Sequence, residues 1–562
     1  MQLMKKMMLM ALLMVVQAVQ AQESERDVVL RAMEDEMKRS MTELSLKDHD
    51  RPFFISYKVS DQTSMVVSAS FGAITSSTAG PGRTSSVRVI VGDYEFNDES
   101  FSDSQYELGP MSFQDDMGIG SMGAPLGADY YGIRRDLWAS TESVYRSAAK
   151  KFKKFNEILK KDGKDLDSIP HFRFARVPVV QHEDEPKPHN WDKALLEERA
   201  RKLSATFIDY PDLTSGRVII RYNHETSYFM TTEGSRIIEE FTSATIMLNI
   251  GVSSEKNGEN TLYISYNGET PEELPTDEQL KADIAKVIAD ERNKASLPKF
   301  DDSYEGPILF YDEAVASAVQ GNLANSFYAS TMARLVPSEW GEAPNRGMER
   351  KMGKRVTSRN LSLAFLPGTQ TYKGKKTRGT YRYDSEGVKA IDSLLIVDKG
   401  YLKNLIYNRN VLNDTLKPRG TASGPGMISL VSHKTATEAE LKQQLIELAE
   451  DEGLEYAFII RPGKVNKYDL RYFKVDLEDG SETEVRSASM SDLDFNSFRK
   501  VEATSADRVV TGGSNFGYMG ITTVVAPRVM LIEDISVEYA SDYNYRPNNN
   551  KKKVPSPLTG KE

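Results

Sequence analysis

The chain has 562 residues and no cysteine, which excludes a small disulfide-stapled fold and leaves buried apolar area as the source of its stability. Apolar residues make up 39% of it, and at ~100–200 residues per domain this length predicts two to four domains. A net charge of −10, with Lys and Arg scattered along the chain, argues against nucleic acid as a partner.

The start of the chain is typical of a secretory signal peptide. Lys5 and Lys6 precede an apolar run at 7–16, and the small residue Ala21 closes the segment. The run is about half of the ~20 residues that a membrane span needs, which disfavours the alternative of an N-terminal anchor. We therefore predict a signal peptide at residues 1–21, an exported chain in the periplasm or outside the cell, and no transmembrane segment after cleavage.

Residues 22–300 are predicted to form an N-terminal α/β unit. Apolar side chains at three- and four-residue spacing, and a capping box formed by Thr276 and Gln279, predict helices at 27–45, 134–161, 192–204 and after Thr276. Runs rich in β-branched and aromatic residues predict strands at 52–59, 64–71, 86–96, 217–222, 226–232, 243–252 and 261–266. The segment 97–128 has neither period and predicts a long surface loop.

Residues 301–543 are predicted to form a second, β-rich unit. Helix chemistry stops at Pro298 and a new strand is predicted at 307–311, with a helix directly after it. Later elements are predicted from hairpin-like runs at 379–384, 391–398 and 402–408, a helix capped by Thr437 and Glu440, and a hairpin at Asp479-Gly480. The last segment, 544–562, is rich in Asn, Lys and Pro and predicts a disordered tail.

Neither unit carries a complete hydrolase motif. Zinc hydrolysis needs three protein ligands, and none of the six histidines pairs with another at the spacing of one helical turn. The His182-Glu183 step leads into a proline-broken segment, and His224-Glu225 lies in an alternating strand, so both predict ordinary polar roles. Nucleophilic catalysis has no cysteine and no Gly-x-Ser-x-Gly elbow to use.

Three segments nevertheless resemble the TldD/PmbA family of metallopeptidase-related proteins. The run GPILFYDEAVASAVQGNL (306–323) is similar to the strand and helix that carry His-Glu-x-x-x-His in that family. Ser385-Glu386-Gly387 takes the place of an Asp-Glu-Gly step before a hairpin, and Thr232-Glu233-Gly234 is similar to a Ser-Glu-Gly segment. The resemblance spans about 130–535, and the order of the motifs supports it. It implies an α+β, β-rich two-domain architecture with antiparallel sheets and flanking helices, in an exported bacteroidete-type branch.

The resemblance places Asp312 where the first histidine stands, Glu313 at the glutamate and Ser317 where the second histidine stands. The family's thiolate ligand has no counterpart. Zinc favours imidazole or thiolate, so these three positions form a degenerate motif that implies no bound metal and no cofactor. The departure resembles the PmbA (TldE) side of the family, which implies a non-catalytic subunit that binds an extended peptide beside a metal-bearing TldD-like subunit, or that associates with itself.

Other interpretations stay open at this point, and the sequence does not decide whether any enzymatic activity remains. Asp312 is also predicted to cap the helix that follows it, which is compatible with the first interpretation. A second interpretation is an active metallopeptidase that uses Asp312 and Glu313 with the distant His224 or His433. A third is a stand-alone envelope protein that binds peptides and has left the pathway.

Overall fold

The computed structural model describes residues 24–101, 120–187, 191–254, 258–329, 348–412, 417–467, 469–511 and 522–540. The predicted signal peptide at 1–21 and the predicted tail at 544–562 lie outside these residues. Within them, no helix is both long enough and apolar enough to cross a membrane. The molecule is mostly β, with helices flanking its sheets.

The first unit is built on one large sheet. Its helices are α1 Glu25–Glu43, α2 Tyr130–Lys161, α3 Lys193–Ala205 and α4 Asp277–Lys294. Its strands are β1 Pro52–Ser70, β2 Ala73–Val91, β3 Gly120–Met122, β4 Arg173–Phe174, β5 Gln181–Glu183, β6 Leu213–Thr231, β7 Arg236–Ser254 and β8 Gly258–Gly268. The sheet runs in the order β3-β2-β1-β6-β7-β5, and β8 also pairs with β7.

Four strands of 19 residues give this sheet its length: β1, β2, β6 and β7. Helices α1 and α2 cover one end of these strands, where Ile55 and Tyr57 join their core. Helices α3 and α4 cover the other end, where Val67 and Ile220 join a second core. The sheet therefore carries two apolar cores along its length.

The division of β1 and of β6 into two strands each was wrong. The polar residues at 60–63 resemble a turn in the sequence, but the ladder continues through them, with Asp61 opposite both Arg83 and Thr226. The Asp61 carboxylate accepts hydrogen bonds from the Arg83 guanidinium, which is 2% exposed. Because a partner across the sheet satisfies this polar stretch, the strand does not need to end there.

The segment predicted as a surface loop also differs from expectation where the structure describes it. Asn97, Asp98 and Phe101 are buried, and the Asp98 carboxylate accepts the N–H of Val91 at 2.7 Å. Gly120–Met122 forms β3 on the edge of β2. Hydrogen bonds to backbone groups thus allow these polar residues to be buried. The polar composition of the segment predicted exposure because it does not show such bonds.

The second unit contains two larger sheets and two short ones. Its helices are α5 Glu313–Ala318 and α6 Glu438–Asp451. Its strands are β9 Ser303–Tyr311, β10 Leu361–Leu366, β11 Thr371–Tyr372, β12 Lys375–Lys376, β13 Leu394–Asp398, β14 Tyr401–Leu402, β15 Asn410–Val411, β16 Met427–Ser432, β17 Thr435–Ala436, β18 Tyr456–Pro462, β19 Leu470–Asp476, β20 Glu482–Val485, β21 Ala488–Met490, β22 Val501–Ser505, β23 Arg508–Thr511, β24 Val524–Pro527 and β25 Val529–Tyr539.

Strand β9 lies inside the eight-stranded sheet, which runs β17-β22-β25-β9-β18-β19-β20 with β21 on β25. Ile308 and Phe310 face a core that includes α5 and the six-stranded sheet, of order β14-β13-β10-β16-β24-β23. Leu309 and Tyr311 face the core under α6. The apolar part of β9, residues 307–311, is therefore buried on both of its faces, as expected for a continuous apolar run in a sheet covered on both sides.

Two predicted capping boxes and one predicted hairpin turn are present in the structure. The capping boxes of Thr276 with Gln279 and of Thr437 with Glu440 are present, which confirms them. Strands β19 and β20 flank the predicted turn at Asp479-Gly480. The run at 379–384 forms no regular strand, and the Arg382 side chain within it donates a hydrogen bond to Asp184 of the first unit.

Candidate functional site

The strand-helix junction, residues 311–318, contains all three positions of the degenerate motif. Asp312 follows β9 with φ 50° and ψ −122°, a conformation that favours glycine. Its N–H donates to the Arg528 carbonyl at 2.6 Å, and its own carbonyl accepts from the N–H of Val315 at 3.1 Å. These backbone bonds hold the sharp turn from β9 into α5.

The predicted capping role of Asp312 is wrong. Its side chain makes no capping hydrogen bond to α5, and an N-cap residue needs an extended backbone rather than a positive φ. Its Oδ1 instead lies 3.8 Å from Nη1 of Arg528. The same guanidinium bonds to Asp507 at 2.6 Å and to Glu438. The Asp312 carboxylate is therefore part of a surface ion-pair group around Arg528.

The remaining motif positions supply few donors for a metal. Glu313 is half-buried in the first turn of α5, and the Oγ of Ser317 is buried without a hydrogen-bond partner among the residues that the structure describes. Across the described ranges, no group of three or more His, Cys, Asp or Glu side chains is arranged to hold a metal ion. A carboxylate beside an arginine and a neutral hydroxyl do not fit a zinc site.

The two histidines of the alternative interpretation lie in other networks. His224, on β6, has its Nε2 2.7 Å from Oε2 of Glu240. His433 has its Nε2 2.8 Å from the Ser362 Oγ, beside the six-stranded sheet. The structure thus brings Asp312, Glu313 and Ser317 together on one turn but does not add either histidine to them.

The two glutamates of the Glu-Gly motifs, one from each unit, meet at a single arginine. Glu233 accepts two hydrogen bonds from Arg409, at 2.8 Å from Nη1 to Oε2 and 2.8 Å from Nη2 to Oε1. Glu386 accepts the backbone N–H of Arg409 at 2.5 Å. Arg409 is 1% exposed, so this bidentate pair holds a buried charge across the boundary between the units.

A second arginine extends this network within the first unit. Arg88 donates to Glu386 at 2.5 Å and to both carboxylate oxygens of Glu99, at 2.8 and 2.5 Å. Burial opposes the charged form, but the two carboxylates raise the pKa of Arg88. Burial likewise opposes ionisation of Glu99, and Arg88 outweighs it and lowers the pKa of that carboxyl. We call Arg88, Glu99, Glu233, Glu386 and Arg409 the Arg409 cluster.

The backbone and the aromatic rings around the Arg409 cluster restrict its geometry. Gly387 has φ +74°, and a Cβ there would lie 2.5 Å from Cε1 of Phe229. The Arg409 guanidinium lies 3.9 Å from the centre of the Phe174 ring. Strands β15 and β4 pair beside it, with Asn410 opposite Phe174. Strand β15 of the second unit thus forms a two-stranded sheet with β4 of the first, and Arg409 lies directly before β15.

The turn that presents Glu386 is held by a neighbouring acid. The Asp384 carboxylate accepts the N–H groups of Glu386, Val388 and Ala422 at 2.9 to 3.0 Å. Burial, with the nearby Glu386 charge, raises the pKa of Asp384 to about 6. The motif glutamates were visible in the sequence, whereas Arg409 was not singled out. No pattern in the sequence pointed to Arg409, because its contacts with Glu233 and Glu386 join residues that are far apart along the chain.

Comparison with known proteins agrees with this arrangement. Residues 303–538 match the family model described as the PmbA/TldA metallopeptidase C-terminal domain. The second unit of this chain is therefore similar to the C-terminal domain of that family. A search of curated proteins finds no match.

Solved structures with the TldD/PmbA-like fold extend the similarity to both units. TldE from Thermococcus kodakarensis is 12% identical, with a TM-score of 0.50, over 90% of this chain and 100% of that one. A Bacteroides thetaiotaomicron VPI-5482 protein described as a modulator of DNA gyrase is 12% identical, with a TM-score of 0.52, over 92% and 98%. A Thermotoga maritima MSB8 protein with the same description is 12% identical, with a TM-score of 0.51, over 86% and 96%. At this identity the likeness concerns the fold.

Proposed function

We propose that this chain is a TldD/PmbA-family protein and a non-catalytic, TldE-like subunit of an exported metallopeptidase assembly, in which a partner chain supplies the metal. One observation carries the proposal: the motif position Asp312 lies against Arg528, and the other replaced position is the neutral hydroxyl of Ser317. Arg528 competes for the carboxylate that a metal would need, and a hydroxyl adds little to zinc affinity. Glu313 then serves as a polar contact rather than as a general base.

The contribution of such a subunit would be to hold an extended peptide. Strand β20 ends the eight-stranded sheet and β23 ends the six-stranded sheet. An extended peptide gains backbone hydrogen bonds by adding to such an edge, whatever its sequence. The exposed Val510 of β23 would give an apolar contact beside those bonds. The fold shared with TldE from Thermococcus kodakarensis supports a subunit of this kind.

The test uses the mature chain, residues 22–562, with and without a TldD-like chain that retains His-Glu-x-x-x-His. We expect the purified chain alone to contain no zinc above background by elemental analysis and to cleave no unstructured peptide. We expect the two chains to co-elute and to cleave the peptide together. Glu313→Gln in this chain should leave that rate unchanged, whereas Glu→Gln in the partner's motif should abolish it.

Two results would replace the proposal with an alternative. Stoichiometric zinc in the chain alone, lost on Glu313→Gln, would make it an active metallopeptidase with divergent ligands. A folded chain that binds peptides but co-elutes with no motif-bearing partner would make it a stand-alone envelope binding protein.

A further inference from the structure

Helix α2 carries an unusual concentration of positive charge for this chain. Its 32 residues include nine Lys or Arg against three Asp or Glu, which gives it a net charge of +6 in a chain whose net charge is −10. The rest of the chain therefore carries a net negative charge. A local reversal of sign on a long helix marks a surface that attracts anions.

Seven of the nine cations lie along one side of the helix, and Arg134 and Lys151 lie outside it. At 100° per residue the seven fall within a sector of about 120°, opposite the side on which Leu137, Ala148 and Phe155 are buried. The members of this basic stripe are Arg135, Arg146, Lys150, Lys153, Lys154, Lys160 and Lys161. From its first to its last member the stripe is about 39 Å long, at a rise of 1.5 Å per residue.

Within the part of the chain that the structure describes, four of the seven cations of the stripe have no carboxylate partner. Arg146 pairs with Glu142 one turn before it. Four lysines form no ion pair with any residue that the structure describes: Lys150, Lys153, Lys160 and Lys161. Helical carboxylates at four-residue spacing are the usual partners of such lysines, and here they are too few.

Apolar and aromatic side chains lie at the N-terminal end of the stripe. Tyr131 is 79% exposed and Leu126, just before the helix, is 49% exposed. Trp138 lies on the same helix, with the Arg135 guanidinium 4.6 Å from the centre of its ring. Amphipathic aromatic residues beside a row of lysines suit the boundary between phospholipid headgroups and acyl chains.

We propose that the basic stripe of α2 docks the protein on an anionic phospholipid bilayer. A row of cations about 39 Å long, four of them without an ion pair among the described residues, matches an extended plane of phosphate groups better than it matches a compact ligand. The lysines would contact headgroup phosphates, while Tyr131 and Leu126 enter the interface. The inference is independent of the proposed peptidase role, because α2 belongs to the first unit and lies on none of the motif segments.

The test measures binding of the mature full-length chain to sedimented vesicles. We expect binding to vesicles of equal parts phosphatidylcholine and phosphatidylglycerol, weakening as salt rises, and little binding to pure phosphatidylcholine. Replacing the four unpaired lysines, in K150Q/K153Q/K160Q/K161Q, should weaken binding by more than about tenfold, since each basic residue near an anionic surface contributes roughly fivefold. Inorganic phosphate at matched ionic strength should not compete, which separates a bilayer from free phosphate as the ligand.

A matched control removes the same charge from elsewhere on the surface. Lys281, Lys375, Lys389 and Lys403 are exposed and lie outside α2. K281Q/K375Q/K389Q/K403Q should bind within about twofold of the natural chain, a small loss because screening confines each charge to about a Debye length. Circular dichroism would confirm that both variants fold. Equal losses in the two variants, or no binding of the natural chain to the anionic vesicles, would overturn the proposal.

Discussion

The strand-helix junction and the Arg409 cluster both contain segments that resemble the TldD/PmbA family. Their polar side chains differ in how many hydrogen-bond partners they have. At the junction, Asp312 has a positive φ and the buried Ser317 Oγ has no partner. In the Arg409 cluster, Glu233 and Glu386 each accept two hydrogen bonds from arginines or their backbone. The junction therefore holds a strained backbone and an unpartnered hydroxyl among the described residues, whereas the glutamates that join the two units are hydrogen-bonded to arginines.

The largest expected effect comes from removing the shared cation. Arg409→Met should lower the free energy of unfolding by about 3–5 kcal/mol, because it leaves the carboxylate of Glu233 desolvated without a counter-charge. Adding Glu233→Gln to this variant should restore part of the loss, since the remaining buried group is then neutral. Urea unfolding of the single and double variants measures both changes.

The control for this prediction is an ion pair of the same type at the surface. Arg236 Nη1 lies 3.1 Å from Glu183 Oε2. Both side chains are more than a third exposed, at 35% and 44%. Arg236→Met should cost less than about 1 kcal/mol. A comparable loss at Arg236 and Arg409 would mean that burial across the unit boundary adds nothing to the Arg409 cluster.

The second effect concerns pH and the acid beside Glu99. Burial, with the Glu99 charge, raises the pKa of Asp98 from 3.8 to about 7. The native chain therefore keeps this proton as pH rises from about 4 to about 7, whereas the unfolded chain releases it, so stability from this group is lost over that window. Asp98→Asn resembles the protonated form and should be more stable than the natural chain at pH 8, by on the order of 1–3 kcal/mol.

Unfolding in urea at pH 4 and at pH 8 checks the Asp98 prediction. The difference between the variant and the natural chain should be small at the lower pH and favour the variant at the higher one. An unchanged difference across the window would show that Asp98 is ionised in the native state at neutral pH.

The third effect tests strain at the junction. Asp312→Gly should stabilise the protein by roughly 1 kcal/mol, because glycine adopts a positive φ without steric cost and the exposed contact with Arg528 contributes little. Asp312→Ala removes the same carboxylate but keeps the strain, so it should not stabilise. Thermal unfolding of the two variants separates backbone strain from the ion pair.

The smallest effect is expected at the other replaced position. Ser317→Ala removes a buried hydroxyl that has no hydrogen-bond partner, and the change should be neutral or stabilise by up to about 1 kcal/mol. Chemical denaturation measures it. A loss of several kcal/mol would show that the Ser317 Oγ makes an essential contact, and would remove the contrast with the fully partnered Arg409 cluster.

The sequence by itself determined the features that depend on neighbouring residues. The capping boxes at Thr276 and Thr437, the hairpin at Asp479-Gly480 and the order of the family segments were all readable, because each rests on a pattern a few residues long. The family resemblance likewise followed from short motifs in a fixed order.

Only the tertiary structure decided which distant groups meet. Asp312 was predicted to cap a helix, but the carbonyl of Arg528, more than two hundred residues away, holds its backbone in a conformation that prevents capping. Arg409 drew no attention in the sequence because a buried charge gains its meaning from the carboxylates that surround it, and Glu233 reaches it from the other unit. Long-range pairing and burial, which local periodicity does not encode, assign these residues their roles.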